Sequence, residues 1–159
     1  MYPPKFDYYR ANSVSEALSL LQEHAGAKVI AGGHSLIPAL KLRLSDPGTL
    51  IDIGRIGELR GITPNGSSTR IGALTTHALV ATSTALPQAL TEAASWIGDP
   101  AVRNRGTVGG NIAHADPASD LPTVLTALGA TINVIGPSGE RSVGAQDFFL
   151  GLFETALQE

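Results

Sequence analysis

An α+β fold built as two lobes is what this 159-residue sequence predicts, and three observations predict it. Short apolar runs of strand type alternate irregularly with short amphipathic runs of helical period. An Asn-Gly dipeptide, Asn65-Gly66, sits between two such strand-like runs and signals a hairpin. Two Gly-Gly pairs flanked by polar residues, Gly32-Gly33 and Gly109-Gly110, fall one in each half of the chain. The hairpin and the irregular alternation favour α+β over a regular doubly wound sheet.

The elements follow in order. Phe6-Asp7-Tyr8 reads as a first strand. Ser13 stands three residues before Glu16, the spacing at which each side chain can satisfy the other's backbone N–H, and Val14, Ala17, Leu18 and Leu21 then share one helical face. Gly26 marks the stop, and Lys28-Val29-Ile30-Ala31 is a short buried strand that runs into the first glycine pair. Ser35 is placed to cap a second short helix through Leu36, Pro38, Leu40 and Leu42, because proline is tolerated in a first turn. Residues 49–53 are a third strand, and glycines 54 and 57 mark a change of segment. A lobe boundary is therefore expected there, with an N-terminal lobe of residues 1–56 and a second lobe of residues 57–159, the latter carrying helices and a mixed or antiparallel sheet.

In the second lobe residues 60–63 pair with 69–72 across a turn at 64–68, and helices are expected at 75–82 and 86–97. Residues 98–120, rich in Gly, Asp, Asn and Pro, show no periodicity and read as a long functional loop. Asp120 is placed to cap a helix over 121–128, and strands at 130–135 and 141–143 flank a turn at Pro137-Ser138-Gly139.

Composition narrows the function. The net charge of −3 and the absence of any Lys/Arg run argue against nucleic acid as a partner. Zero cysteines exclude disulfides, thiolate metal sites, thiol catalysis and iron–sulfur ligation by this chain. The N-terminus, Met1-Tyr2-Pro3-Pro4-Lys5, lacks the apolar core of a secretory signal, and no stretch reaches the roughly 20 apolar residues of a membrane span, so a cytoplasmic location is the expectation.

The chemistry lies in the glycine pairs. Without a Cβ the backbone approaches a ligand closely, and successive N–H groups can converge on an anion such as a pyrophosphate. The segment Ala31-Gly32-Gly33-His34-Ser35 does so at the start of a helix, which adds its own free N–H groups. Thr107-Val108-Gly109-Gly110-Asn111 repeats the logic and offers a hydroxyl and a carboxamide. Two such loops suit a diphosphate gripped from both lobes. Neither matches the Rossmann dinucleotide fingerprint or the ATPase phosphate loop.

With these residues in view, the chain resembles the FAD-binding medium subunits of carbon monoxide dehydrogenase-type and xanthine dehydrogenase-type molybdenum hydroxylases. The likeness runs over nearly the whole chain. It is strongest at Lys28-Val29-Ile30-Ala31-Gly32-Gly33-His34-Ser35-Leu36, at Ile71-Gly72-Ala73-Leu74-Thr75-Thr76, and from Arg103 through Thr107-Val108-Gly109-Gly110-Asn111 and His114 to Pro122. The resemblance implies FAD in the cleft between the lobes, with its pyrophosphate on residues 31–35 and 107–111. It further implies that Asp120 contacts the ribose or adenine end, that Lys28 and His114 line the cleft, and that Asp116 is a neighbour. Partners are implied too: a large molybdenum-cofactor subunit and a small 2Fe-2S subunit, with electrons passing from the clusters through FAD to an external acceptor. His34 stands where the family more often has glutamine. Family members continue past Thr155 into a C-terminal domain that helps cover the flavin ring, which this sequence does not reach.

Other readings are weaker. His34-Ser35 lacks a nucleophile elbow, which disfavours hydrolase chemistry. His77 and His114 match no compact metal motif, and His77 reads as a satisfied or solvent-exposed histidine. Trp96 reads as packed in a core or against a partner. No residue is required as a catalytic acid, base or nucleophile, since the cofactor carries the redox chemistry. A stand-alone flavin oxidoreductase of the same fold, or a non-catalytic assembly or nucleotide-binding module, are the alternatives.

Overall fold

The computed structural model describes residues 2–157. The N-terminal part is a three-stranded parallel sheet of order β1-β3-β2, made of β1 (Asp7–Arg10), β2 (Lys28–Ile30) and β3 (Thr49–Asp52). Helix α1 (Val14–Glu23) joins β1 to β2, and helix α2 (Leu36–Lys41) joins β2 to β3. The α1 capping signal works as written on one side, with the Glu16 N–H donating to Ser13 Oγ at 3.1 Å. The return bond is displaced by one residue, because the Glu16 carboxylate accepts from the Asn12 N–H at 2.7 Å. Strand β3 is the centre of the sheet. Leu50 and Ile51 point to opposite faces, and both are fully buried. Ile51 packs with Ala11, Ala17, Ile56 and Leu74 in a first hydrophobic cluster.

The ends of β1 and β3 are pinned by charge. Asp52 accepts from the Tyr8 hydroxyl, from the Gly54 N–H at 2.7 Å and from Arg10 Nε at 3.4 Å. Burial works against its carboxylate, but these donors outweigh it and hold the group below the usual carboxylate range.

The rest of the molecule places its strands in three antiparallel hairpins: β4 (Ile62–Asn65) with β5 (Ser68–Ile71), β6 (Thr131–Gly136) with β7 (Gly139–Gly144), and β8 (Phe149–Gly151) with β9 (Glu154–Thr155). The first hairpin is tighter than the five-residue turn expected. Asn65 pairs with Ser68, so only Gly66 and Ser67 turn the chain, with Gly66 at φ +61°. Helices α3 (His77–Ala81), α4 (Gln88–Trp96), α5 (Pro100–Arg103), α6 (Val108–His114), α7 (Asp120–Ala127) and α8 (Ala145–Phe148) complete this part. A second hydrophobic cluster joins Val80, Leu90, Ala94, Val108, Leu121, Leu125 and Ala145.

Three expectations change. Residues 98–120 are not one loop but contain α5 and α6, and Gly109-Gly110 lies inside the first turn of α6. Asp120 is the first residue of α7 rather than its cap; Ser119 holds the cap position, and its hydroxyl donates instead to Asn111 Oδ1 at 2.8 Å. Trp96 is 77% exposed, which excludes a core role. No helix among the described residues is long and apolar enough to cross a membrane.

Candidate functional site

The first glycine segment leaves the carboxyl end of β2, the side of a parallel sheet on which ligands are usually bound. Gly33 takes φ +77°, a region closed to most residues with a Cβ. That turn directs the chain into α2, so that the N–H groups of Gly33, His34, Ser35 and Leu36 find no acceptor among the described residues. Ser35 occupies the cap position of α2 but makes no side-chain cap bond, so its hydroxyl is also unspent. The His34 ring folds back on its own segment, with Nδ1 3.1 Å from the Gly32 carbonyl oxygen.

The second glycine segment touches the first. A Cβ placed on Gly32 would overlap the carbonyl oxygen of Arg105 and stand 2.9 Å from the carbonyl carbon. A Cβ on Gly110 would face the Ala31 methyl group at 4.0 Å. Two segments 75 or so residues apart thus share one junction, and glycine at position 32 is what allows the backbones to meet.

Their amides are used differently. The Val108 N–H donates to Thr75 O at 2.9 Å, the Gly109 N–H to Ala73 O at 2.8 Å, and the Gly110 N–H to Thr107 Oγ1 at 3.2 Å. The first helical turn of α6 is therefore satisfied from within. Val108 is buried in the second cluster, and Gly109 lacks a Cβ because one would stand 2.6 Å from the Ala73 methyl carbon. What this segment leaves toward solvent is the open surface of Gly110 and the Asn111 carboxamide, whose oxygen is held by Ser119.

Residues 71–76 were among those resembling the family, with no role attached to them, and His77 follows directly. In the structure they clamp the second segment: besides the two carbonyls just named, the His77 N–H donates to Gly106 O at 3.1 Å, and Thr76 bridges Thr107. His77 is 3% exposed and its Nδ1 has no hydrogen-bond partner among the described residues, so it is neither satisfied nor solvent-exposed. Its ring lies against Gly106, where a Cβ would stand 2.8 Å from Cδ2. Burial lowers its pKa to about 4, which keeps the ring neutral at physiological pH. The signal for this clamp was the glycines at 106 and 109, where a Cβ would collide with His77 and with Ala73.

The other predicted side chains are carried by several elements. Lys28 is exposed on β2, and Leu36 is half-buried at the start of α2. His114 is half-buried at the end of α6, its ring 5.1 Å from that of Phe153. Asp120 is exposed in the first turn of α7. Asp116 orders the connection between these helices by accepting from the Ala118 N–H at 2.9 Å. Beside it lies a pocket of about 160 Å³ lined by Ala115, Asp116, Ser119, Thr123 and Phe149 among others. This pocket adjoins Asp116 and does not coincide with the glycine junction.

The donor set fits a diphosphate-bearing cofactor: four consecutive N–H groups and one hydroxyl without acceptors among the described residues lie at a helix start, with no carboxylate on the segment to repel an anion. Among the described residues no His/Asp/Glu group is arranged to hold a metal ion.

Comparison with known proteins agrees. Residues 4–159 match the family described as FAD binding domain in molybdopterin dehydrogenase. The chain is 48% identical over 163 residues to the carbon monoxide dehydrogenase medium chain of Hydrogenophaga pseudoflava, covering 100% of this chain and 57% of that one. It is 47% identical over 158 residues to the glyceraldehyde dehydrogenase medium chain of Sulfolobus acidocaldarius, covering 98% and 56%. A solved structure of the Hydrogenophaga pseudoflava carbon monoxide dehydrogenase that lacks the Mo-pyranopterin moiety superposes with a TM-score of 0.95 at 49% identity, over 99% of this chain and 56% of that one. The chain thus spans little more than half the length of these relatives. On its fold and over residues 4–159, the chain belongs to the FAD-binding domain family of the molybdopterin dehydrogenases.

Proposed function

We propose that this chain is the FAD-binding portion of the medium subunit of a molybdenum hydroxylase, an oxidoreductase, and that FAD lies between an N-terminal lobe of residues 1–56 and a second lobe of residues 57–159. One observation carries the placement: the unspent N–H groups of residues 33–36 at a junction where Gly32 meets Arg105 and Gly110 meets Ala31. When bound, FAD supplies the redox chemistry, through which electrons reach an external acceptor.

The chain's own residues bind and orient. The amides of Gly33, His34, Ser35 and Leu36 and the Ser35 hydroxyl grip the pyrophosphate, while Ala31 and Gly32 set the approach of the two segments. Thr107 and Val108 fix the start of α6, so that Gly109 packs and Gly110 and Asn111 face the cofactor. Lys28 and His114 line the cleft, and Asp120 takes the ribose or adenine end. These residues contain no cysteine and so offer no thiolate ligand to an iron–sulfur cluster, which is compatible with a small 2Fe-2S partner beside a large molybdenum-cofactor subunit. Both relatives named above are medium chains, which is consistent with such an assembly.

The absorption spectrum of the purified protein tests the cofactor, and its expected result is a set of flavin bands with FAD released on denaturation. A colourless protein that takes up no added FAD overturns the proposal. The assembly is tested separately by whether molybdenum- and iron-containing subunits co-purify.

A further inference from the structure

Three non-glycine residues among those described have a left-handed backbone: Arg43 at φ +61°, Ala115 at +49° and Phe153 at +56°. Two of them are joined, since the Phe153 N–H donates to the Ala115 carbonyl at 3.2 Å. This conformation is disfavoured for any residue with a Cβ and most of all for a bulky one. Phe153 gains no burial in return, being 58% exposed at the turn between β8 and β9. Glycine would take this backbone without strain, and the ring contact seen for Phe153 among the described residues is with half-buried His114.

The location suggests its use. His114 follows Gly110 by four residues and Asn111 by three, so all three lie on one face of α6. That face begins at the glycine junction, advances about 6 Å along the helix to His114, and ends at the Phe153 ring, 5.1 Å from the imidazole and tilted by 53°. A ring tethered to a diphosphate through a sugar or ribityl arm covers such a distance. Strained backbone held in place by neighbouring structure is a mark of ligand clamps. We propose that Phe153, backed by His114, is an aromatic platform that stacks on a planar ring of the bound flavin dinucleotide. This inference rests on the placement of FAD proposed above.

The test is fluorescence titration of FAD into the apo-protein for wild type, Phe153→Gly and Phe153→Tyr. Glycine removes both ring and strain. FAD binding is expected to weaken about three- to tenfold with no fall in unfolding temperature, and Phe153→Tyr keeps wild-type affinity. Titrations with ADP and with FMN then assign the ring: a matching loss for ADP marks the adenine, and one for FMN marks the isoalloxazine. Unchanged FAD affinity in Phe153→Gly, or a fall in thermal stability with affinity intact, overturns the platform and leaves the glycine-junction site standing. Wild-type protein that takes up no FAD overturns both.

Discussion

His77 has an imidazole buried to 3% exposure whose Nδ1 finds no partner among the described residues, which makes it a liability in acid. Its folded-state pKa is about 4 against an ordinary value of 6.5. Below pH 6.5 the unfolded chain takes up a proton that the folded chain refuses until about pH 4, so stability falls with pH across that window. Between pH 7.5 and pH 5 the loss is about 2 kcal/mol. Denaturant unfolding of wild type and His77→Leu at both values checks this: the leucine variant should lose less on acidification by that amount, and parallel losses would contradict it. Glycine 32 allows a second test at this scale. An alanine there meets the Arg105 carbonyl, a backbone group that cannot swing aside, whereas Gly57 has nothing within 4 Å. Gly32→Ala is expected to destabilise by about 1–3 kcal/mol and weaken FAD uptake, with Gly57→Ala as the neutral comparison in the same melts.

Among the elements, α6 shows what could and could not be read from the sequence. The α1 start was legible in Ser13 and Glu16, and the β4–β5 hairpin in Asn65-Gly66, because a cap and a tight turn are local chemistry. Helix α6 was not, because Gly109-Gly110 is among the poorest of helix-forming pairs. It is helical because Thr75 O, Ala73 O and Thr107 Oγ1 accept its first three amides, and two of those acceptors lie more than 30 residues away. The same reason limits the reading of the site. Two glycine pairs looked alike in sequence, yet one exposes its amides and the other consumes them, a difference set by the distant 73–77 segment. Thr107 is the local part of that arrangement. Thr107→Val keeps the shape but leaves the Gly110 N–H unpaired, and is expected to cost about 1 kcal/mol. Thr107→Ser should recover most of it in denaturant unfolding, and an equal loss in both variants would shift the cause from capping to packing.

At the scale of the molecule, two hydrophobic clusters meet through one short segment. Leu74 belongs to the cluster under the parallel sheet, while its neighbours Thr75, Thr76 and His77 hold the segment that opens α6. A ligand spanning the glycine junction therefore ties both clusters together. At a hundred times its dissociation constant such a ligand adds about 2.7 kcal/mol, which for a chain of this size raises the unfolding temperature by roughly 5–10 °C. The gain alone does not say which groups hold FAD, but hydrogen exchange does. The amides of residues 33–36 have no acceptor among the described residues and should exchange fast without FAD and slowly with it. Those of residues 108–110 are already bonded within the fold, so added FAD should change them little. Exchange measured by mass spectrometry or NMR with and without FAD separates the two segments. New protection confined to 108–110, with 33–36 unchanged, would remove the pyrophosphate from the first glycine segment and place it on α6.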